Sequence, residues 1–264
     1  MTGRIVYFHG QPGSPAELTL VGGGALAERA GLQAPDRALQ DPVPGFHGRI
    51  SAEAGALAAQ ARPLHLIGFS LGAFVAMEVA LRLAEQAPSL PVRLDLISPA
   101  APLALGDFLP GMAGGPLFRL ARDAPAAFSA VTLLQGAVAG VVPGWLVSRL
   151  FAGATGPEAA LTAMPVFRRG AAQMVGGALG QGATIYRQDI LAYVAQDPAR
   201  LSRLDRPVRI WQGREDHWTP PAMADALARI LPDVRSLTYL DGLSHYSTLQ
   251  RSLPRILEPD LGPS

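Results

Sequence analysis

Apolar and polar positions follow two rhythms along the chain. Short runs rich in β-branched and aromatic residues, each closed by turn formers, predict strands at Arg4–Phe8 (RIVYF), in the run from Leu64 that ends in Gly68-Phe69-Ser70-Leu71-Gly72 (LHLIGFSLG), at Val92–Ile97 (VRLDLI), at Pro207–Gln212 (PVRIWQ) and at Val234–Leu240 (VRSLTYL). Between them, helical spacing runs over Ala16–Ala30, Ala52–Ala61, Leu71–Gln86, Pro221–Leu231 and Tyr246–Leu257. A further short strand is expected over Gly31–Pro35, leaving through Asp36-Arg37. A Pro/Gly loop follows over Asp41–Gly48, with Ser51 as N-cap of the next helix. In Leu71–Gln86 the polar residues Glu78, Arg82 and Glu85 fall on one stripe at i, i+4 and i+7 and the rest is apolar, which predicts a mostly buried helix.

Strands alternating with helices imply a parallel sheet covered on both faces, with right-handed crossovers. The alternation stops from Pro99 to Asp205, where Gly- and Ala-rich helical pieces carry no strand rhythm. The expected organisation is therefore a core of residues 1–98 and 206–264 with a helical cap or lid, 99–205, inserted after one strand. No internal repeat is evident. Within the insertion, Ala124–Ser148 carries no charge and is long enough in principle to span a membrane. Pro125, Gly136, Gly140, Pro143 and Gly144 interrupt it, and Gln135 is polar, so two or three short helices are expected and no stable span.

Composition narrows the chemistry. Of 264 residues, 49% are hydrophobic and 16% charged, enough apolar material for a large core. The net charge of +1 and scattered arginines give no electrostatic case for a nucleic-acid partner. The chain has no cysteine, which removes disulfides, thiolate nucleophiles and cysteine metal sites. It also has no lysine, which removes a P-loop lysine and a Schiff base. Asparagine is absent too, and since both missing amino acids use A-rich codons, a high-GC bacterial genome is inferred. The N-terminal MTGRIVYFHG has neither a long apolar region nor a cleavage site, so a cytoplasmic location is expected. Gly22, Gly24 and Ala27 give a G-x-G-x-x-A, but the preceding Leu18–Val21 belongs to a helix rather than a strand, so the glycines are read as helix packing and no cofactor is expected. The five histidines lack metal-ligand spacing, and none is read as a metal ligand. His9 and His47 are read as loop residues, His65 as a satisfied strand residue, and His217 as a neighbour of the lid.

One stretch carries a specific chemistry. Gly68-Phe69-Ser70-Leu71-Gly72 is G-x-S-x-G, the pattern of a strand that turns sharply into a helix and exposes a serine hydroxyl. Both flanks agree, because a strand-like run precedes it and an apolar helix follows. A serine nucleophile needs a base and an acid that orients the base, and after such an elbow they follow in the order acid, then histidine. Asp216, in Gly213-Arg214-Glu215-Asp216-His217, follows one predicted strand; His245, in Asp241-Gly242-Leu243-Ser244-His245, follows the next. Glu215 could serve as the acid, and so, less well, could Asp95 inside Val92–Ile97.

With these loops, His9-Gly10-Gln11-Pro12-Gly13-Ser14-Pro15 and Ala34-Pro35-Asp36-Arg37, the sequence resembles the α/β-hydrolase superfamily from Arg4 to about Leu257 outside the insertion. The resemblance implies that fold, with Ser70 as nucleophile, Asp216 as acid and His245 as base. It implies an oxyanion hole from the backbone N–H groups of Gln11 and Leu71. The family commonly begins with two more strands than precede this His-Gly loop, so a shortened sheet edge is expected. Serine at position 70 excludes the standard dehalogenase and epoxide-hydrolase mechanisms, which need an aspartate there. The expected activity is hydrolysis of a small to medium ester, thioester or lactone. The same triad would serve cleavage of a carbon–carbon bond or a perhydrolase-like reaction, and a ligand receptor without turnover is the reading from another class. The apolar insertion, with Phe118, Phe128, Trp145, Leu146, Phe151, Met164, Phe167 and Met174, points to an uncharged or apolar acyl group as the small-molecule partner.

Overall fold

The computed structural model describes residues 3–180 and 183–258. The outermost residues of the expected core, 1–2 and 259–264, and residues 181–182 of the expected cap lie outside the described residues. Five parallel strands form one sheet in chain order: β1 (Arg4–Phe8), β2 (Leu64–Phe69), β3 (Val92–Ile97), β4 (Val208–Gly213) and β5 (Val234–Leu240). Their registers are continuous except for an irregularity at Val208/Arg209. The central strands are buried along almost their whole length, which is why they read as apolar runs rather than as alternating ones.

The expected strand at Gly31–Pro35 is reduced to one parallel bridge, Val6 to Gln33, held by Tyr7 N–H to Gln33 O at 2.8 Å and Gln33 N–H to Ile5 O at 2.9 Å. Pro35 has no N–H with which to extend it. Small as it is, this bridge sets the topology. The chain leaves β1, crosses through α1 (Glu17–Leu20) and α2 (Gly24–Arg29) to the outer side of β1, then returns past it through α3 (Gly45–Ala58) to β2. The direction of winding reverses between β1 and β2, and right-handed crossovers then place helices on both faces. The contacts agree: α3 packs on α4 (Leu71–Gln86), and the last helix, α12 (His245–Leu257), packs on α2. The crevice of such a sheet lies at the carboxyl ends of the two strands that flank the reversal.

Two further expectations are corrected. Helix α3 begins at Gly45, inside the stretch expected to be loop, so Ser51 is a mid-helix residue and not an N-cap. Gly45, at φ +66°, makes the entry turn after Pro44. In α4, Arg82 and Glu85 do pair at the surface at 2.7 Å, but Glu78 is buried and reaches Arg200 at 2.8 Å and Gln196 at 3.3 Å.

Between β3 and β4 the chain is helical: α5 (Gly115–Asp123), α6 (Pro125–Val141), α7 (Pro143–Leu150), α8 (Gly156–Ala163), α9 (Pro165–Leu179) and α10 (Ala183–Val194). A proline opens each of α6 to α9 at its first or second position, where a missing N–H costs nothing. Among the described residues no single helix is long and apolar enough to cross a membrane; the uncharged stretch is split between α6 and α7, which meet at 114°. Helix α11 (Pro221–Ile230) joins β4 to β5.

Candidate active site

Ser70 sits where β2 gives way to α4, with φ +56° and ψ −125°, a conformation that L side chains avoid. The turn is held by Ser70 N–H to Ile97 O at 3.0 Å and by Ala73 N–H and Ala100 N–H to Ser70 O at 3.0 and 3.2 Å. It also requires the two glycines of the motif. A Cβ on Gly68 would come within 2.5 Å of Ala73 Cα, and one on Gly72 within 1.9 Å of Phe8 O. The helix start is thus driven against the end of β1, which brings Ser70 beside the His-Gly loop.

His245 opens α12 after β5, and Asp216 lies in the turn after β4. His245 Nδ1 donates to Asp216 Oδ2 at 2.8 Å. The other carboxylate oxygen accepts from the N–H groups of Trp218 (2.9 Å) and Thr219 (3.0 Å), while the Thr219 hydroxyl bridges Asp216 Oδ2 at 3.1 Å and Ser98 O at 3.0 Å. The imidazole lies against the rings of Phe69 and Trp218, with centroids at 4.6 and 6.1 Å. Its Nε2 makes no hydrogen bond among the described residues. Ser70 and His245 line one small cavity with Gln11, Phe69 and Trp218. Asp95 and Glu215, the alternative acids, are elsewhere: Asp95 bonds His65, Arg209 and Trp211, and Glu215 is exposed.

Burial opposes ionisation of Asp216, but His245 and the Thr219 hydrogen bonds outweigh it and hold the carboxyl below its usual range. Burial likewise opposes a charged His245; Asp216 outweighs it, Glu158 and Glu17 add to the effect, and the pKa of the imidazole is raised.

Among the described residues the N–H groups of Gln11 and Leu71 have no hydrogen-bond partner; Leu71 is the first residue of its helix and has no carbonyl one turn back. The loop that carries Gln11 is tied on several sides. The Gln11 carboxamide donates to Asp189 Oδ2 at 3.1 Å and accepts from Gly13 N–H at 3.3 Å. Arg37 donates to the carbonyls of His9 and Gly10 and to Asp189 Oδ2, the last at 2.5 Å. Asp189 Oδ1 takes Arg49 at 2.5 Å. Glu17, fully buried, accepts from Gly10 N–H at 3.1 Å and Tyr7 Oη at 2.5 Å, and burial lifts its pKa to about 7. His9 stays inside the loop, with Nδ1 on its neighbour's carbonyl and Nε2 accepting from Arg37 N–H; burial and Arg37 hold its pKa low.

A larger cavity of about 380 Å³ opens from Ser70 and Leu71 toward the helices between β3 and β4, walled by Leu117, Phe118, Leu146, Leu150, Val175 and Leu179. The apolar insertion residues divide. Leu146 and Phe118 face this space, Phe128 and Phe167 are fully buried, and Trp145 and Met164 are about half exposed. Among the described residues no group of three or more His, Asp or Glu is placed to hold a metal.

Sequence reading did not single out Glu17, Arg37, Arg49, Glu158, Asp189 or Thr219 for a part in this site. The available signal was a lone acidic residue within a helix, as Asp189 is in ATIYRQDILAYV. Buried charge of that kind needs a partner, though the sequence does not say which.

A family model described as "Alpha/beta hydrolase family" matches residues 5–255. No curated protein matches. Among solved structures, a hydrolase from Pseudomonas aeruginosa PA01 is similar with TM-score 0.66 and 20% identity, covering 99% of this chain and 91% of its own. A bromoperoxidase from Bacillus anthracis gives 0.63 and 16%, covering 98% and 91%. An esterase from Exiguobacterium antarcticum gives 0.58 and 16%, covering 97% and 93%. At these identities the structural likeness speaks to the fold.

Proposed function

We propose that this chain, which belongs to the alpha/beta-hydrolase family, is a serine hydrolase cleaving a small to medium, largely apolar ester, thioester or lactone through an acyl-enzyme. The observation that carries the reading is the convergence of Ser70 and His245 on one cavity, with His245 Nδ1 engaged by Asp216 at 2.8 Å and Nε2 left open. In the reaction, Nε2 takes the proton of Ser70 as Oγ attacks the carbonyl carbon. The oxyanion forms within reach of the Gln11 and Leu71 N–H groups, each such donor contributing on the order of 3 kcal/mol to the transition state. The bond to the leaving group then breaks, and His245 returns the proton to it. Water, deprotonated by the same nitrogen, attacks the acyl carbon; the bond to Ser70 Oγ breaks, and His245 passes the proton to that oxygen. Residues 99–205 act as the cap, and the six apolar side chains around the larger cavity receive the acyl group.

Turnover of p-nitrophenyl esters of increasing chain length tests this. Ser70→Ala is expected to lower kcat on the order of 10⁴-fold or more and to abolish labelling by a fluorophosphonate. Equal turnover by the two proteins would overturn the proposal.

A further inference from the structure

Helix α8 lies in the insertion, yet its Glu158 side chain is only 1% exposed and is spent on another element. Its Oε1 accepts from Tyr246 N–H at 3.0 Å and its Oε2 from Ser247 N–H at 2.7 Å. These are the second and third residues of α12, whose first residue is His245. N–H groups in the first turn of a helix have no carbonyl one turn back, and that end of the helix carries a partial positive charge. A carboxylate spanning two of them satisfies both and fixes the direction in which the helix starts.

We propose that Glu158 is a positioning residue: by gripping the first turn of α12 it fixes the orientation of the His245 imidazole and makes the field around it more negative. The catalytic base is thus held from two sides. Asp216 holds Nδ1 directly, and Glu158 holds the backbone that carries the ring. The anionic or titratable groups acting on His245 come from three elements: Asp216 after β4, Glu158 on α8 and Glu17 on α1. Glu158 stands on α8, which packs on α12 and on α9, and α9 is one of the helices that wall the cavity, so this contact ties the base to those helices. The proposal rests on the serine-hydrolase reading for its kinetic consequence, and on geometry alone for its effect on His245.

The test is Glu158→Gln in the full chain, read in two independent ways. NMR titration of the isotope-labelled histidine rings, with His245 assigned by its loss in His245→Gln, follows the imidazole without any substrate. The His245 midpoint is expected to fall when the carboxylate is removed. The pH profile of ester hydrolysis follows the reaction: its acid limb, which reports the neutral base, is expected to move to lower pH, and kcat to drop about 10- to 100-fold with KM little changed. A folded Glu158→Gln protein with an unmoved His245 midpoint overturns the inference. A moved midpoint in a protein that hydrolyses no ester upholds the placement of Glu158 and overturns only the hydrolase reading. Should Glu158→Gln fail to fold, Glu158→Asp keeps the charge but cannot span both N–H groups. It is expected to lower kcat several-fold without moving the acid limb, and an unchanged kcat overturns the inference.

Discussion

Among the described residues are two buried Asp–His pairs with nearly the same local geometry and opposite electrostatics. Asp216 and His245 meet at 2.8 Å at the carboxyl end of the sheet; Asp95 and His65 meet at 2.6 Å inside β3 and β2, and all four side chains are almost fully buried. His65 is five residues from Ser70 along β2, about 16 Å at strand rise. Burial lowers the pKa of His65 despite Asp95, and the guanidiniums of Arg93 and Arg209 lower it further. At His245 the remaining neighbours are Glu158 and Glu17, and the pKa moves up. The rings differ in valency as well. His65 spends Nε2–H on Asp95 and Nδ1 on accepting from Arg93 at 3.1 Å, whereas His245, which lines a cavity together with Ser70, keeps one nitrogen without a hydrogen-bond partner among the described residues. A buried Asp–His pair therefore becomes a candidate proton relay through what surrounds it and what it leaves unbonded, not through its own distance.

The strongest way to break this comparison is to remove each carboxylate's charge and measure turnover. In Asp216→Asn the new amide presents a donor to Nδ1, so the imidazole must hold its proton on Nε2 and cannot accept one from Ser70. The expected loss in kcat is about 10⁴-fold. Asp95→Asn changes a pair that faces no cavity next to Ser70, and ester turnover should stay near that of the unaltered protein. Equal losses in two folded variants would remove the distinction.

Stability should order the same two variants the other way. Asp95 accepts from His65, from Arg209 at 2.7 Å and from Trp211 Nε1 at 2.7 Å, so Asp95→Asn strands a partly buried guanidinium and leaves donors facing a donor. About 3 kcal/mol is expected, the low end for a broken buried pair because Arg209 is about a third exposed and can turn to water. Asp216 has no arginine partner among the described residues, and its two backbone N–H contacts, both on Oδ1, can be kept by the asparagine oxygen, so about 1 kcal/mol is expected. Urea midpoints at constant m-value would measure both. A larger loss at Asp216 would mean that its loop, rather than the interior of the sheet, carries the greater strain.

The same contrast explains what could be read from the sequence. Ser70, Asp216 and His245 each stand just past a strand whose pattern is local, so the strand, the turn and the polar residue are legible within a dozen positions. The same holds for Gln11 after β1. The strand expected over Gly31–Pro35 shrinks to the bridge at Gln33 because Pro35 cannot extend it, and the helix start at Gly45 is hidden because Gly and Pro mark a tight helix entry and a loop alike. Glu158 and Asp189 were illegible for another reason. Their partners lie 88 and 178 residues away, at Tyr246 and Gln11, and the helices between β3 and β4 give no rhythm that fixes where they dock. Local chemistry announces itself in a sequence; the supports that aim it come from distant parts of the chain.

The smallest expected effect sharpens the comparison through pH. His65 has a folded pKa below its unfolded value near 6.5, so the native state binds fewer protons there. Its contribution to stability is full above about pH 6.5 and is lost as the pH falls through the folded value. His245 has a raised folded pKa, so its contribution is full below about pH 6.5 and is lost as the pH rises through the folded value. The two histidines should therefore tilt the stability curve in opposite directions. Relative to the unaltered protein, His65→Gln should gain stability as the solution is acidified from about pH 6.5, and His245→Gln should gain as it is made alkaline. The lowered pKa of Asp216 acts near its own unfolded value of 3.8, well below this window, and leaves the sign unchanged. Urea denaturation of the three proteins at a series of pH values on either side of that point reads the slopes directly. Slopes of the same sign would show that the two imidazoles sit in equivalent fields, and the distinction between a relay and a structural pair would then have to rest on the open nitrogen of His245 alone.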